Sequence, residues 1–429
     1  MSILEHAEPR STRERLKATL RRHAEALSPR VLRRTLTELQ AVIEASVSEV
    51  EGGRQAEGVM RWYAQASPAQ RQDMWLLMSE QFTADPEQVK RAQAQYAAAV
   101  GTPDEAAAEV LFRRATVSPR RRLLQRFSAA PGGIRFLVDM RAEMQPQLKS
   151  DRRLRALDVE MEYMFSTWFD VAFLDLRRIS WDSPASLVEK LIKYEAVHDI
   201  RSWADVKNRL DSDRRCYGFF HPSLPDEPLI FVEVALMDSM ASSITPLLDE
   251  GAAPSDLAKA TTAIFYSISN TQTGLRGVSF GDSLIKRVVE TLKAEFPRLK
   301  TFATLSPIPG LRAWMQKAAP AKLLEALDNP LELGPKSPVR TALLGWAAQY
   351  LGKETNDGKP LDAVARFHLG NGARVERLNW AGDPSPKGLK QSYGLMVNYL
   401  YDLRRLDKHR TMLAQGQIPI SGDIEDLYF

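Results

Sequence analysis

A serine stands at the end of a predicted strand, directly before two prolines. The segment is TFATLSPIPG, residues 301–310, and the hydroxyl belongs to Ser306. Pro307 and Pro309 each fix one φ angle and remove one backbone donor, so the chain behind the hydroxyl is stiff. A rigid strand-to-loop corner would account for the prolines without any chemistry. The alternative is that Ser306 is held toward a reacting group.

Histidine is the other candidate for proton transfer near neutral pH. His368 lies in VARFHLGNGARVERLNW, residues 364–380. We interpret this segment as strand, turn, strand, with its Asn-Gly pair at the turn. A histidine in such a hairpin is more often structural than catalytic. His221, in a proline-rich loop, could line a ligand pocket but is more simply structural, and His198 is interpreted as a helix cap or a solvent-exposed group.

A glycine-spaced loop lies between a predicted strand and a predicted helix. Its three glycines are Gly274, Gly277 and Gly281. The basic residues close to it in sequence are Arg276, Lys286 and Arg287. Glycines let the backbone approach a ligand, and the free N–H groups of a helix start favour an anion. The loop matches neither a Walker motif nor G-x-G-x-x-G, so tight turns and close packing remain an alternative to a phosphate site, with Asp282 as a possible cap.

The elements that carry these residues fall into two halves. From residue 11 to about 172, apolar residues recur at spacings of three and four, which predicts helix after helix without a fixed repeat length. From about residue 173, β-branched and aromatic runs of strand length alternate with helical patterns. The predicted strands are at 228–236, 263–270 and 301–307, and the predicted helices between them are at 282–296 and 337–352. We therefore predict an α+β protein, with an all-helical domain at residues 1–172 for packing or oligomerisation and a mixed α/β domain at residues 173–429.

Composition excludes several classes of protein. The chain has 429 residues, 44% of them hydrophobic and 26% charged, and a net charge of +4. This balance is typical of a globular protein and does not favour nucleic-acid binding, although it suits a local basic site. The single cysteine, Cys216, excludes an intrachain disulfide framework and a cysteine zinc site. No apolar run approaches the roughly 20 residues of a membrane helix. The Arg-rich N-terminus resembles a mitochondrial presequence but contains four glutamates, so we expect a first helix and a cytoplasmic location, with a mitochondrial presequence as the alternative.

Six blocks of the second half together resemble the malonyl-CoA decarboxylase family. In chain order they are ISWDSPASLVEKLIKYEAVHDIRSWADVKNRL, RRCYGFFHPSLPDEPLIFVEVAL, IFYSISNTQTGLRGVSFGDSLIKRVV, TLSPIPG, ARFHLGNGA and RLNWAGDPSPKGLKQSYGLMVNYLY. The resemblance covers most of residues 173–401. It implies a helical domain followed by a catalytic domain similar to the acyl-CoA N-acetyltransferase fold. It also implies conversion of malonyl-CoA to acetyl-CoA and CO₂ without metal or organic cofactor, by a homo-oligomer that is expected to be a tetramer.

The resemblance also implies roles for particular residues. Ser306 and His368 are expected to be catalytic. The loop expected to bind the CoA pyrophosphate consists of Arg276, Gly277, Val278, Ser279, Phe280, Gly281 and Asp282. Loss of CO₂ from a malonyl thioester leaves an enolate, which needs hydrogen-bond donors at the thioester oxygen and a proton at C2. We assign the proton donation to His368 and a hydrogen bond with the acyl group to Ser306, although the two roles could be exchanged.

Several further residues are candidates for supporting roles. Animal members of the family have an acidic residue where this chain has Ser279. Asp383 or Glu233 could replace that acid in orienting the histidine, or a dyad could suffice. Two candidates for the substrate carboxylate are Asn379 and Asn398, and two candidates for a position facing the ligand channel are Ser267 and Ser269.

Three other functions fit parts of the same pattern. A CoA-dependent acyltransferase acting on an amine would keep the fold but need an acceptor pocket and a base. A helical assembly protein could bind CoA without turning it over. A serine hydrolase is the weakest alternative, because TLSPIPG lacks the G-x-S-x-G elbow.

Overall fold

The computed structural model describes residues 29–44, 48–278, 280 and 283–428. The chain divides into two compact units, one of residues 1–169 with 272–279 and one of residues 170–271 with 280–429. The segment 272–279, which we expected in the second domain, therefore belongs to the first unit. The expected N-terminal helix within residues 1–28 lies outside the described residues.

The described part of the first unit is helical, as predicted. Its α-helices are α1 (Pro29–Ile43), α2 (Glu49–Gln65), α3 (Pro68–Gln81), α4 (Pro86–Ala99), α5 (Glu105–Thr116), α6 (Pro119–Ala129), α7 (Gly133–Met144) and α8 (Arg155–Trp168). Helix α1 buries one stripe at spacings of three and four, formed by Leu32, Leu36, Leu39 and Val42. Helix α3 begins with a capping box, because Ser67 accepts from the Gln70 N–H and the Gln70 side chain accepts from the Ser67 N–H.

The second unit is built on a mixed sheet. Its strands are β1 (Asp175–Ile179), β2 (Arg214–His221), β3 (Leu224–Met237), β4 (Thr262–Asn270), β5 (Thr301–Thr304), β6 (Ser306–Pro307), β9 (Arg374–Asn379) and β10 (Met396–Leu400), with β7 (Thr355–Asn356) and β8 (Lys359–Pro360) as a separate pair. The order is β1-β2-β3-β4-β5-β10-β6, and β9 also pairs with β10. Strands β4 and β5 are parallel, whereas the other pairs are antiparallel. The predicted α+β class, with a helical first half and a mixed α/β second half, is confirmed.

Helices cover the faces of this sheet. They are α9 (Ala185–Tyr194), α10 (Trp203–Arg209), α11 (Leu284–Glu295), α12 (Leu311–Ala318), α13 (Ala321–Glu325), α14 (Pro338–Gly352), α15 (Ala363–Gly370), α16 (Pro386–Ser392), α17 (Leu406–Ala414) and α18 (Gly422–Glu425). One buried apolar cluster joins β3, β4, β5 and β10, and it includes Ala235, Ile264, Tyr266, Ala303 and Met396. The predicted helices α11 and α14 and the predicted strands β3, β4 and β5–β6 are confirmed.

The strand-turn-strand prediction for residues 364–380 is wrong in its first half. Residues 363–370 form helix α15, whose N-terminus is capped by Asp362 through the N–H groups that follow it. The helix ends at Gly370, and just beyond it Gly372 has φ +86° and the Ala373 N–H donates to the His368 carbonyl. The Asn-Gly pair therefore ends a helix instead of turning a hairpin. The second half is a strand, β9, as predicted.

No described helix is both long and apolar enough to cross a membrane. Likewise, the described part of the chain contains no group of three histidine, cysteine, aspartate or glutamate side chains placed to hold a metal ion.

Candidate active site

Ser306 lies at a break between two strands. Strand β5 ends at Thr304, and Ser306 resumes pairing opposite Val397 of β10. The Ser306 hydroxyl donates to Thr304 Oγ1 at 2.8 Å, and that oxygen also accepts from the Tyr399 N–H at 3.1 Å. Two neighbouring strands therefore hold the serine side chain, in addition to the prolines behind it.

Helix α15 brings His368 to this serine. The distance from His368 Nε2 to Ser306 Oγ is 3.2 Å, although the two residues are 62 positions apart in the chain. The other ring nitrogen, Nδ1, is 2.7 Å from the Tyr401 hydroxyl. The imidazole also stacks on Tyr399, with ring centres 4.7 Å apart, and only 4% of the residue is exposed. The two residues predicted to be catalytic thus form one hydrogen-bonded pair.

Burial sets the ionisation of this pair. It lowers the pKa of His368 to about 3, so the imidazole is neutral at physiological pH. It raises the pKa of Tyr401 well above its ordinary value, so the phenol keeps its proton. The partner that fixes the histidine is therefore a neutral hydroxyl. Tyr401 was not identified from the sequence. The available signal was the alternation of Tyr399 and Tyr401, since residues two apart on an extended chain point to one side.

The two acids that we suggested for orienting His368 interact with other residues. Glu233 is fully buried and pairs with Arg209 at 2.8 Å, and burial raises the pKa of Glu233 to about 8. Asp383 accepts from the Ser385 N–H at 3.0 Å. Among the described residues, no carboxylate is hydrogen bonded to His368. Both suggestions for a replacement acid are therefore wrong.

A cavity of about 230 Å³ lies beside the pair, at the carboxyl ends of β4 and β5. It is lined by Val197, Phe265, Tyr266, Ser267, Ile268, Asn270, Ser306, Pro307, Ala363, Val364, Phe367 and His368. The lining formed by the described residues is mainly apolar and includes no lysine or arginine. Ser267 is the one of the two candidate serines that faces this cavity. The cavity can hold an acyl group, and its described lining offers that group no cation.

The two candidate asparagines are structural. Asn379 Nδ2 donates to Asn398 Oδ1 at 2.8 Å, and Asn398 Nδ2 donates to the carbonyl oxygens of Ala241 and Thr304. Neither residue lines the cavity. Their expected role in binding the substrate carboxylate is wrong, because their amides tie β9, β10 and β5 together.

The glycine loop is fastened to the helical unit by a buried arginine. Arg141 Nη1 donates to the carbonyl oxygens of Gly274 and Arg276 at 2.8 and 3.0 Å. Gly277 has φ +84°, which favours glycine, and Val278 is buried. The Arg276 side chain is exposed. The backbone of this part of the loop is therefore held in place, and the Arg276 guanidinium is exposed.

The remaining candidates for the phosphate site lie in different environments. In the second unit, the Phe280 carbonyl accepts from the Val171 N–H at 2.8 Å. Arg287 does not stand free for an anion, because its Nη1 donates to the carbonyl oxygens of Val171 and Leu174. Lys286 is exposed. Three candidate positions, Ser279, Gly281 and Asp282, lie outside the described residues.

The other two histidines considered from sequence are both buried. His221 Nδ1 accepts from the Ser223 N–H in the turn between β2 and β3, which agrees with a structural role. His198 is not a solvent-exposed group, and burial lowers its pKa to about 4. Its assignment from sequence as a cap or solvent group is therefore wrong. The sheet order, together with a buried, neutral hydroxyl–imidazole pair beside a cavity, defines the class as an α+β protein with a candidate Ser–His active site in its second unit.

Comparison with family models identifies the family within this class. Residues 172–428 match the malonyl-CoA decarboxylase C-terminal domain, and residues 82–169 match the malonyl-CoA decarboxylase N-terminal domain. The chain belongs to the malonyl-CoA decarboxylase family. The mitochondrial malonyl-CoA decarboxylase of Rattus norvegicus is 36% identical over 394 residues, 82% of this chain and 80% of the rat protein. That of Anser anser anser is 37% identical over 326 residues, which are 67% of this chain and 65% of the goose protein.

Solved structures agree with this assignment. The crystal structure of malonyl-CoA decarboxylase from Rhodopseudomonas palustris is 39% identical, with a TM-score of 0.81, and covers 92% of this chain and 99% of its own. That from Agrobacterium vitis is 40% identical, with a TM-score of 0.82, and covers 92% of this chain and 100% of its own.

Proposed function

We infer that this chain is a carboxy-lyase that converts malonyl-CoA and one proton to acetyl-CoA and CO₂. The observation that carries this inference is the contact of Ser306 with His368, 3.2 Å apart beside a mainly apolar cavity, in a chain of the malonyl-CoA decarboxylase family. An acyltransferase would need a base to activate its acceptor. The described cavity lining contains no carboxylate, and its histidine is already paired with Ser306 and Tyr401.

Bond cleavage is favoured by the apolar cavity. The bond between C2 and the carboxylate carbon breaks, its electron pair moves onto the thioester as an enolate, and neutral CO₂ leaves. The described lining offers no lysine or arginine to pair with the malonyl carboxylate. The reactant therefore carries a localised charge in an apolar cavity, whereas the transition state spreads that charge toward the thioester oxygen. A site that stabilises the transition state more than the reactant lowers the barrier.

The serine supplies a hydrogen bond to the developing charge. The Ser306 hydroxyl donates to Thr304 Oγ1. A hydroxyl rotates readily, so on binding of substrate the proton can turn from Thr304 to the thioester oxygen. A donor at such a position is commonly worth about 2.7–4 kcal/mol in the transition state.

The histidine delivers the proton. While Ser306 donates to Thr304, the contact between His368 Nε2 and Ser306 Oγ requires the proton on Nε2, and Nδ1 then accepts from Tyr401. The enolate carbon is a strong base and takes the Nε2 proton, and the Tyr401 hydroxyl stabilises the charge left on the ring. Solvent restores one proton per turnover after CO₂ has left.

The CoA pyrophosphate is proposed to bind the glycine loop. The residues involved would be Arg276, Gly277, Val278 and Phe280, together with Ser279, Gly281 and Asp282. Support comes from the exposed Arg276 guanidinium and from the loop backbone held by Arg141. Backbone N–H groups and a cation are the two features that bind phosphate.

Two variants and one control test the assignment. The purified protein is mixed with malonyl-CoA, and both CO₂ and acetyl-CoA are measured. Ser306→Ala and His368→Ala should each lower kcat about 100-fold or more while CoA binding is kept. Ser239→Ala, at an exposed position, should leave turnover unchanged. Unchanged turnover in both site variants would refute the site. Formation of an amide from acetyl-CoA and an amine, without CO₂ release by the wild type, would favour an acyltransferase instead.

We also propose that the chain forms a homo-oligomer, expected to be a tetramer, through its helical unit. The paired helices α4 and α5 bury little except Ala92 and Ala108, and α5 leaves Val110 and Leu111 about half exposed. Exposed apolar side chains of this kind are typical of association surfaces. Light scattering should give a multiple of 48.2 kDa, and Leu111→Glu should lower it. A cytoplasmic location stays a prediction, compatible with the buried free Cys216.

A further inference from the structure

A buried carboxylate lies directly behind one wall of the cavity that Ser306 and His368 line, which we call the acyl cavity. Glu195 follows helix α9 and is 8% exposed. Its Oε1 accepts from the N–H groups of Val197 and His198 at 2.8 Å each. The Ser267 hydroxyl lies 2.8 Å from both carboxylate oxygens, and the Ser269 hydroxyl donates to Oε2 at 3.1 Å. These partners are all donors, so they are arranged for a negatively charged acceptor.

The carboxylate decides where the Ser267 hydroxyl proton points. Ser267 lines the same cavity as Ser306 and His368. A serine has one proton to donate, and in Ser267 that proton is directed to Glu195. The side of Ser267 that faces the acyl group therefore presents lone pairs.

The same carboxylate shapes the wall itself. The loop 195–199 is held against β4, because the Ala196 N–H donates to Ser269 Oγ at 3.1 Å and Glu195 accepts from the next two N–H groups. Lys387 Nζ donates to the Ala196 and Val197 carbonyl oxygens from the other side. Val197, at the centre of this loop, lines the acyl cavity. Glu195 thus controls both the shape and the polarity of one wall.

We propose that Glu195 is a positioning residue for decarboxylation, which acts through Ser267 by keeping a hydrogen-bond donor away from the malonyl carboxylate. This inference rests on the proposed function. A donor beside the carboxylate would stabilise the reactant, whose charge sits there, more than the transition state, whose charge moves toward Ser306 and His368. Such a donor would raise the barrier. The fixed charge of Glu195 acts in the same direction, since it repels a carboxylate but not a departing neutral CO₂.

The test is a double-mutant cycle of Glu195→Gln and Ser267→Ala. Glutamine keeps the size of the side chain and, with its oxygen held by the Val197 and His198 N–H groups, places the amide nitrogen at the Oε2 position, where it donates to the serines. Ser267 then keeps only the neutral amide oxygen as a competing acceptor, so its proton can turn toward the acyl group. Glu195→Gln is expected to lower kcat about tenfold or more and to tighten binding of malonyl-CoA, while the inhibition constant of acetyl-CoA, which has no carboxylate, stays within twofold. In the Ser267→Ala background, the same glutamine substitution should change kcat by less than about twofold, because no hydroxyl remains to turn. Glu189→Gln, on the exposed face of α9, is the matched control.

Two results would overturn the inference. The first is an equal loss of kcat when Glu195→Gln is introduced into the wild type and into Ser267→Ala. The second is an equal weakening of malonyl-CoA and acetyl-CoA binding by Glu195→Gln, which would indicate a structural role. Should Glu195→Gln fail to fold, Glu195→Asp replaces it, since its shorter carboxylate can keep the loop N–H groups but cannot reach Ser267. The wild type is assayed alongside. Absence of CO₂ from the wild type would reject the proposed function itself, whereas CO₂ release with a failed cycle would reject only the role of Glu195.

Discussion

Asp362 links the segment that carries Ser306 to the helix that carries His368, and its removal should damage both stability and turnover. Its Oδ1 accepts from the first N–H groups of α15, those of Val364 and Ala365, at 2.9 and 3.0 Å. Its Oδ2 lies 3.4 Å from the Gly310 N, which follows the serine–proline corner, and 3.3 Å from the Tyr350 hydroxyl. Asp362→Ala would remove the acceptor for these four donors in one substitution.

The loss of stability caused by Asp362→Ala can be obtained by adding the contributions of these contacts. Loss of a side-chain N-cap typically destabilises by about 1 kcal/mol. The Gly310 N–H and the Tyr350 hydroxyl would each lose a buried acceptor, for which about 1 kcal/mol is appropriate because both contacts are long. Burial raises the pKa of Asp362, so part of the cost is offset when the charge is removed. We expect a net loss of about 2–3 kcal/mol in the free energy of unfolding.

Turnover should fall as well, because α15 loses the anchor that sets the distance from His368 to Ser306. A misplacement of about 1 Å can cost roughly 100-fold in rate. We expect a 10- to 100-fold lower kcat with a nearly unchanged KM for malonyl-CoA. Denaturant unfolding followed by tryptophan fluorescence is a suitable assay, since Trp314 packs on Tyr350 with ring centres 5.1 Å apart.

Asp362→Asn is the matched control for this experiment. The amide oxygen can keep the cap of α15, whereas the amide nitrogen cannot accept from Gly310. We expect it to lose only about 1 kcal/mol and less than tenfold in kcat. Full destabilisation by Asp362→Ala with wild-type kcat would refute the linking role. A larger loss in Asp362→Asn than in Asp362→Ala would refute the assignment of the cap.

Three other predictions concern the histidine and the glycine loop. Tyr401→Phe removes the partner of His368 Nδ1 but keeps the ring, so kcat should fall up to about tenfold with KM kept; wild-type kcat would exclude Tyr401 from the mechanism. Since burial lowers the pKa of His368 to about 3 from 6.5, its contribution to stability is complete above pH 6.5 and is lost as the pH falls toward 3. When the pH falls from 7 to 5, the free energy of unfolding of the wild type should decrease by about 2 kcal/mol more than that of His368→Asn. Equal decreases in the two proteins would contradict a buried neutral imidazole. Gly274→Ala would bring a Cβ atom into a clash with the Val138 carbonyl oxygen, so the loop must shift and KM for malonyl-CoA should rise while kcat changes less; an unchanged KM would argue against CoA binding by this loop.

Local physical chemistry made much of the fold predictable. The stripe of Leu32, Leu36 and Leu39 predicts a helix because the spacing matches the helical period, and the apolar run of 228–236 predicts a buried strand. The six blocks of the second half, taken together, were sufficient to identify the family. Both kinds of information lie within short windows of sequence, where neighbouring residues constrain one another directly.

Local pattern failed at the segment that carries His368. The branched and aromatic residues of VARF favour a strand, yet these residues form α15 because Asp362 caps the helix and Ala365, His368 and Leu369 face a buried surface. The capping aspartate can be found in the sequence, but the surface that buries one face of α15 exists only in the packed structure. Tertiary burial overrode β propensity at this position.

By itself, the sequence determined the helical first half, the main strands, the stiff corner at Ser306 and the family. Only the tertiary structure decided that His368 stands on a helix, that its partners are Ser306 and Tyr401, and that Glu195 lies behind Ser267. The physical reason is that these contacts join residues 33 to 72 positions apart. They depend on the order in which β4, β5, β10 and β6 pair, and no local preference of the chain encodes that order.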